Sequence, residues 1–129
     1  MAVSRKAAMT SRPIAYWIAT AITAFVCLSG GLGDFSHASA VIEGMTHLGY
    51  PVYFATILGV WKLLGGVAML APRLPRVKEW AYAGIAFDLT GAAASHAATG
   101  DPAIKVATPI LLLIAVVVSW ALRPASRRL

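Results

Sequence analysis

Four apolar runs, at 14–33, 51–71, 80–98 and 103–122, are separated by short segments that collect nearly all of the charge. Each run has about the 20 residues that a helix needs to cross a hydrocarbon core ~30 Å thick. Backbone groups in lipid must hydrogen-bond within their own segment, so runs of this length predict helices. The punctuation fits these limits. Pro13, Pro51 and Pro102 stand at or near first-turn positions, where a missing N–H costs nothing. Gly100 can end the third helix and Asp101 can cap the fourth. The pattern therefore predicts an all-α membrane protein, with four transmembrane helices in an antiparallel up-down bundle. It forms one domain over 1–129, with flexible tails at 1–11 and 124–129. Pro109 falls inside the fourth run and predicts a kink there.

The connection after the first run has a pattern of its own. In DFSHASAVIEGMTHLGY (34–50), Phe35, Ala38, Ile42, Met45 and Leu48 recur at spacings of three and four. Such spacing predicts a short amphipathic helix lying on the bilayer in the first outer loop, capped by Asp34. Gly44 is the weak point of that helix.

Composition sharpens the membrane assignment. Only 12% of residues are charged and 59% are hydrophobic, against about 25% charged in soluble domains. The net charge of +6 does not point to nucleic acid, because of where the cations sit. Nine of the eleven Lys and Arg fall in three clusters: Arg5, Lys6 and Arg12; Arg73, Arg76 and Lys78; Arg123, Arg127 and Arg128. Each cluster abuts the end of an apolar run, as anchors against anionic headgroups would. Alternating helices bring all three to one side and leave only Lys105 on the other. The positive-inside rule then places both termini in the cytoplasm. Tyr16, Trp17, Trp80, Tyr82 and Trp120 are expected as an interfacial belt on the basic side, with Tyr50, Tyr53 and Phe54 on the other.

Arg5, Lys6 and Arg12, the first run, and Ala38-Ser39-Ala40 also imitate a cleavable secretory signal. That alternative is disfavoured by the length of the run, by the intervening Asp34, Ser36 and His37, and by the three-helix remnant that cleavage would leave.

Two ionisable residues fall near the middle of predicted spans, Lys62 and Asp88. At 1.5 Å per residue, Lys62 lies roughly 17 Å below Pro51 and Asp88 roughly 12 Å above Trp80, so their depths agree within a helical turn. Each charge alone costs about 2.5–3.5 kcal/mol at a helix centre, and a Lys62–Asp88 ion pair removes most of that. Gly59, Gly65 and Gly66 flank Lys62, and Gly84, Gly91, Ala92 and Ser95 flank Asp88. Small residues at such spacings mean either a close helix seam or a pocket. Lys62 and Asp88 are thus candidates both for structural glue and for a ligand or proton site, with Ser95, His96 and Thr99 extending a polar ladder outwards. His37 and His47 are expected on different faces of the loop helix. The spacing of Cys, His and carboxylates suggests no metal site. The single cysteine, Cys27, forms no internal disulfide and is expected as a small packing residue. No Walker loop, GxGxxG or nucleophile elbow is present, and Gly30, Gly31 and Gly33 end an apolar span as packing residues.

HLGYPVYFATILGVWKLLGGVAMLAP, followed by PRVKEWAYAGIAFDLTGAAASHAATGD, resembles the DoxX-like family of small four-helix membrane proteins. The likeness is closest in KEWAYAG and GAAASH. It places Lys62, Glu79, Asp88, Ser95 and His96 at polar positions of the family pattern. The resemblance implies a multi-pass protein of the bacterial inner membrane. Better-known relatives are subunits of a thiosulfate:quinone oxidoreductase or partners in membrane redox complexes, and a eukaryotic branch resembles receptor-assembly chaperones. The expectation is an accessory subunit, not an enzyme on its own, that binds a quinone or another lipophilic ligand around Lys62, Asp88, Ser95 and His96 beside a redox partner protein. The alternative is a non-catalytic scaffold or assembly factor packing through small-residue helix faces, with homo-oligomers open to either.

Overall fold

The computed structural model describes the backbone of residues 2–129 and the side chains from residue 4. Five α-helices follow in order: α1 (Ala2–Phe35), α2 (Ser39–Leu48), α3 (Val52–Leu70), α4 (Pro75–Ala98) and α5 (Ala103–Ala121). A 3-10 turn (Ala125–Arg127) comes last, and there is no strand among the described residues. The long helices pack in a ring of neighbours, α3 on α1, α1 on α5, α5 on α4 and α4 on α3, with α2 resting on α3. Three of them are long and apolar enough to cross a membrane: α1, α3 and α5. Helix α4 is as long but carries Arg76, Lys78, Glu79 and Asp88.

Glycine sets the tightest seam. A Cβ on Gly59 of α3 would lie 2.6 Å from the backbone nitrogen of Phe35, and one on Gly66 would lie 2.8 Å from the Leu28 side chain. Gly31 of α1 meets Leu63 and the Gly59 carbonyl in the same way. Backbones come together here because nothing stands between them. The residues around Asp88 behave differently: a Cβ on Gly84 or Gly91 would meet nothing, so both face outward instead of lining a seam.

Both segments expected as flexible tails carry helical structure. Residues 2–11 continue α1, built from Ala, Arg, Lys and Met that favour helix, and the helix passes through Pro13 instead of starting there. Met1 lies outside the described residues. At the other terminus Arg127 is buried and donates to the Met69 carbonyl at 3.0 Å and the Leu70 carbonyl at 3.4 Å, with its guanidinium 4.8 Å over the Trp17 ring. Lys78, 1% exposed, donates to Ala68 O at 2.6 Å and to Ala71 O. The open carbonyls that end α3 are thus satisfied by two cations. Helix α5 ends alike, with Arg12 donating to Ala121 O at 3.4 Å and Arg123 to Trp120 O. Arg123 also pairs with Glu79 at 3.1 Å. Part of the basic clustering therefore serves helix C-termini, where positive charge is favourable. Arg5, Lys6, Arg73, Arg76 and Arg128 stay exposed, as does Arg12.

Helix α2 confirms a short helix in the loop but turns a different face inward. Val41, Gly44, Met45 and Leu48 are the partly covered positions, while Phe35 belongs to α1 and Ile42 is exposed. Gly44, the weak point in sequence, is partly covered, but a Cβ there would meet nothing within 4 Å. Gly49, at φ 83°, ends α2, and Gly100, at φ 73°, follows α4. In both places the amide that follows the glycine bonds back to a carbonyl five residues earlier, Tyr50 N to Met45 O and Asp101 N to His96 O. Helix α5 runs through the buried Pro109 without a break.

Candidate functional site

Three helices bring one charge each to the same level. Asp34 stands in the last turn of α1, Lys62 near the middle of α3 and Asp88 in α4. Lys62 Nζ donates to Asp34 Oδ2 at 2.8 Å and lies 3.8 Å from Asp88 Oδ2. The nearer partner is one that the sequence pattern had assigned elsewhere. Asp34 does not cap α2, whose N-cap is Ala38 without a side-chain bond; it is drawn into the bundle by the glycine seam that ends beside it. Room for the lysine comes from α1, where a Cβ on Gly30 would lie 4.0 Å from Nζ.

The two carboxylates are unequally placed. The Asp34 side chain is 8% exposed, whereas Lys62 and Asp88 keep 26% and 27% of theirs uncovered by protein. One ammonium faces two carboxyl groups, so the group carries one more acid than its cation can neutralise. Beside Asp88 lies a cavity of about 20 Å³ lined by Thr23, Cys27, Leu89 and Val116 among others. That volume holds one water and no ring-sized molecule. A wider concavity of about 420 Å³ follows the outer side of α1 at Pro13, Trp17 and Ala21, far from any of these charges in sequence and lined by apolar residues.

Ser95 and His96 belong to a second group, not to a ladder rising from Asp88. Ser95 Oγ donates to Gly91 O at 2.8 Å, so its one proton is used and the Tyr50 hydroxyl donates to it at 2.6 Å. His96 Nδ1 and His47 Nε2 each donate to one oxygen of Asp101 at 2.6 Å, and Thr99 adds a bond at 3.3 Å. Asp101 is therefore an anchor for two imidazoles and not the cap of α5, whose N-cap is Pro102. Hydrogen bonds from His96, then His47, pull its carboxyl down to about 2. His37 shares a bond of 2.6 Å with Thr56. These contacts tie the chain around α2 to the ends of α3 and α4.

A third polar group escaped the sequence analysis. Thr20, Ser119 and Tyr82, from α1, α5 and α4, form a buried chain with Thr20 to Ser119 at 2.7 Å and Tyr82 to Ser119 at 2.8 Å. Tyr16, 2% exposed, stands next to it and accepts from Arg127 at 3.4 Å. Tyr16 and Tyr82 thus leave the expected interfacial belt for the interior, while Trp80 and Trp120 stay exposed. The signal was Ser119, the one hydroxyl in the apolar stretch after Pro109, matched by Thr20 one turn beyond Tyr16.

The model of the DoxX-like family matches residues 18–119, which include all three charges of the central group. No curated protein and no solved structure matches the chain. With the match covering most of its length, the chain belongs to the DoxX-like family.

Proposed function

We propose that the chain is a non-enzymatic accessory subunit of a membrane redox system, which receives a polar-headed lipophilic molecule such as a quinone at Lys62 and Asp88. Four crossings, by α1, α3, α4 and α5, place both termini in the cytoplasm of a bacterial inner membrane. The six exposed cations at one end, against Lys105 at the other, support that orientation. Asp88 and Lys62 give α4 a place in the bundle despite its lower apolarity, since charges inside membranes face protein or polar cavities.

One observation carries the ligand reading. Asp34 alone suffices to neutralise Lys62, yet Asp88 stands 3.8 Å away with a quarter of its side chain uncovered. Glue requires one carboxylate; the second is surplus and open. The lysine would donate to a carbonyl oxygen of the ligand, and Asp88 would answer its change of charge. The ring has no room in the cavity of about 20 Å³ and approaches from the uncovered side. Mass spectrometry of protein purified in mild detergent tests this. A quinone or similar lipophile is expected with the wild type and absent from a folded Asp88→Asn variant; lipophile-free wild type contradicts the proposal.

A scaffold is the second reading, favoured by the outward Gly84 and Gly91 and the 76% exposed Phe87 of α4. It predicts a protein crosslinked through α4 in native membranes, and the absence of any such product counts against it.

A further inference from the structure

Two of the three polar groups of the bundle lie in series, joined by the water-sized cavity. At the basic end, Tyr16, Tyr82, Ser119 and Thr20 form the hydroxyl layer. One turn further along α1 and α5, Thr23 and Val116 line the water-sized cavity, and Asp88 closes it. Asp88 leads to Lys62, and Lys62 to Asp34. From Tyr16 to Asp34 the rise along α1 is about 27 Å, close to the ~30 Å of a hydrocarbon core. Past Asp34 the chain reaches His37 and its bond to Thr56. Packing alone does not require polar groups at successive levels of a bundle whose remaining core, Cys27, Met69, Ile85 and Leu89, is apolar or nearly so.

We infer that this series is a proton path through the bundle, with the Asp34–Lys62–Asp88 group as its relay. The charge count supplies the mechanism. With one proton on the two carboxyls the group is neutral: one ammonium, one carboxylate, one acid. Lys62 sits nearer Asp34, so Asp34 is the carboxylate and Asp88 carries the proton. When that proton passes from Asp88 to Asp34, the ammonium follows the new carboxylate and turns toward Asp88. Asp34 then releases the proton on the far side, and for that moment the group holds two carboxylates. A water in the cavity refills Asp88 from the hydroxyl layer. Thr23 donates to Ala19 O at 2.8 Å, so its lone pairs remain free to hold that water. No electron moves, and each proton that enters leaves. The inference uses the crossing topology proposed above but not the lipophilic ligand.

The test is proton flux in vesicles of phosphatidylcholine and phosphatidylglycerol that carry the full chain, with pyranine inside and a potassium-valinomycin potential as drive. Flotation with the vesicles and circular dichroism establish insertion and helix content. Proton entry is expected at least tenfold above protein-free vesicles. It falls to the protein-free level in Asp88→Asn and at least tenfold in Thr23→Val, which dries the cavity and leaves the charges in place. Gly84→Ala, on the outer face, conducts as wild type. Inserted wild type no faster than empty vesicles overturns the inference, and so does Thr23→Val at wild-type rate, even if Asp88→Asn does not fold. Because no quinone is present, loss of flux and loss of a copurifying lipophile are separate results.

Discussion

Lys62 has an aspartate on either side, and the two sides are built differently. Toward α1 the contact is tight: backbones meet at Gly31 and Gly59, and Asp34 is buried at hydrogen-bond distance. Toward α4 it is loose: a Cβ on Gly65 would lie 3.8 Å from Ile85, an ordinary contact, and Asp88 stands 3.8 Å from the ammonium and partly open. The same residue type on the same lysine therefore has two roles. Asp34 is placed to hold the structure together, and Asp88 is left open for the proposed proton exchange or ligand. A fold that needed only neutralisation would have no use for the second acid, since each buried charge costs energy to desolvate.

The comparison breaks most visibly at Asp34. Asp34→Asn leaves Lys62 with the more distant Asp88 and is expected to cost about 3 kcal/mol in detergent unfolding, the lower end of what removing one partner from a buried pair costs. Next come the glycines. Gly59→Ala forces a methyl against the α1 backbone and is expected to cost about 2 kcal/mol, within the range for overpacked cores. Gly65→Ala, on the loose side, is expected to stay within about 0.5 kcal/mol, because the new methyl finds only ordinary contact and alanine is the better helix former. Equal losses at Gly59 and Gly65 would remove the distinction between the two sides.

The α4 side is fastened at its end by the two imidazoles on Asp101, and this gives a smaller, pH-dependent effect. The Asp101 carboxyl falls from 3.8 to about 2 on folding. A depressed carboxyl contributes stability that is complete above its unfolded value and is lost as pH falls through its folded one. Thermal unfolding of the wild type is expected to weaken between pH 4 and pH 2 by a step that Asp101→Asn lacks. An unchanged step in the variant would assign it to another carboxyl.

How much of this was legible in the sequence differs by level. The long helices were, because bilayer thickness and hydrogen-bond satisfaction leave few alternatives to runs of that length. Their ends were less so. Pro13 marked a helix start by position, and that signal outweighed the helix-favouring Ala, Arg, Lys and Met among residues 2–11. The meeting of Lys62 with Asp88 followed from depth along two helices. Asp34 was missed because its place after Gly30, Gly31 and Gly33 looked like a span ending in a loop, whereas those glycines carry α1 alongside α3 for another turn. The second cluster was hidden for a related reason: His96 and Asp101 are close in sequence, but His47 joins them only when α2 folds back. Long-range contacts of that kind leave no periodicity. The basic residues were visible, but their bonds to the carbonyls ending α3 and α5 were not, since an anchor for lipid and a cap for a helix look alike in sequence.

The division of roles between Asp34 and Asp88 is tested most directly by melting Asp34→Asn and Asp88→Asn side by side in the same detergent at neutral pH. The account predicts that Asp88→Asn unfolds within about 0.5 kcal/mol of the wild type, since Asp34 still neutralises Lys62, while Asp34→Asn loses about 3 kcal/mol. Equal destabilisation by the two substitutions, or the larger loss at Asp88, would contradict it.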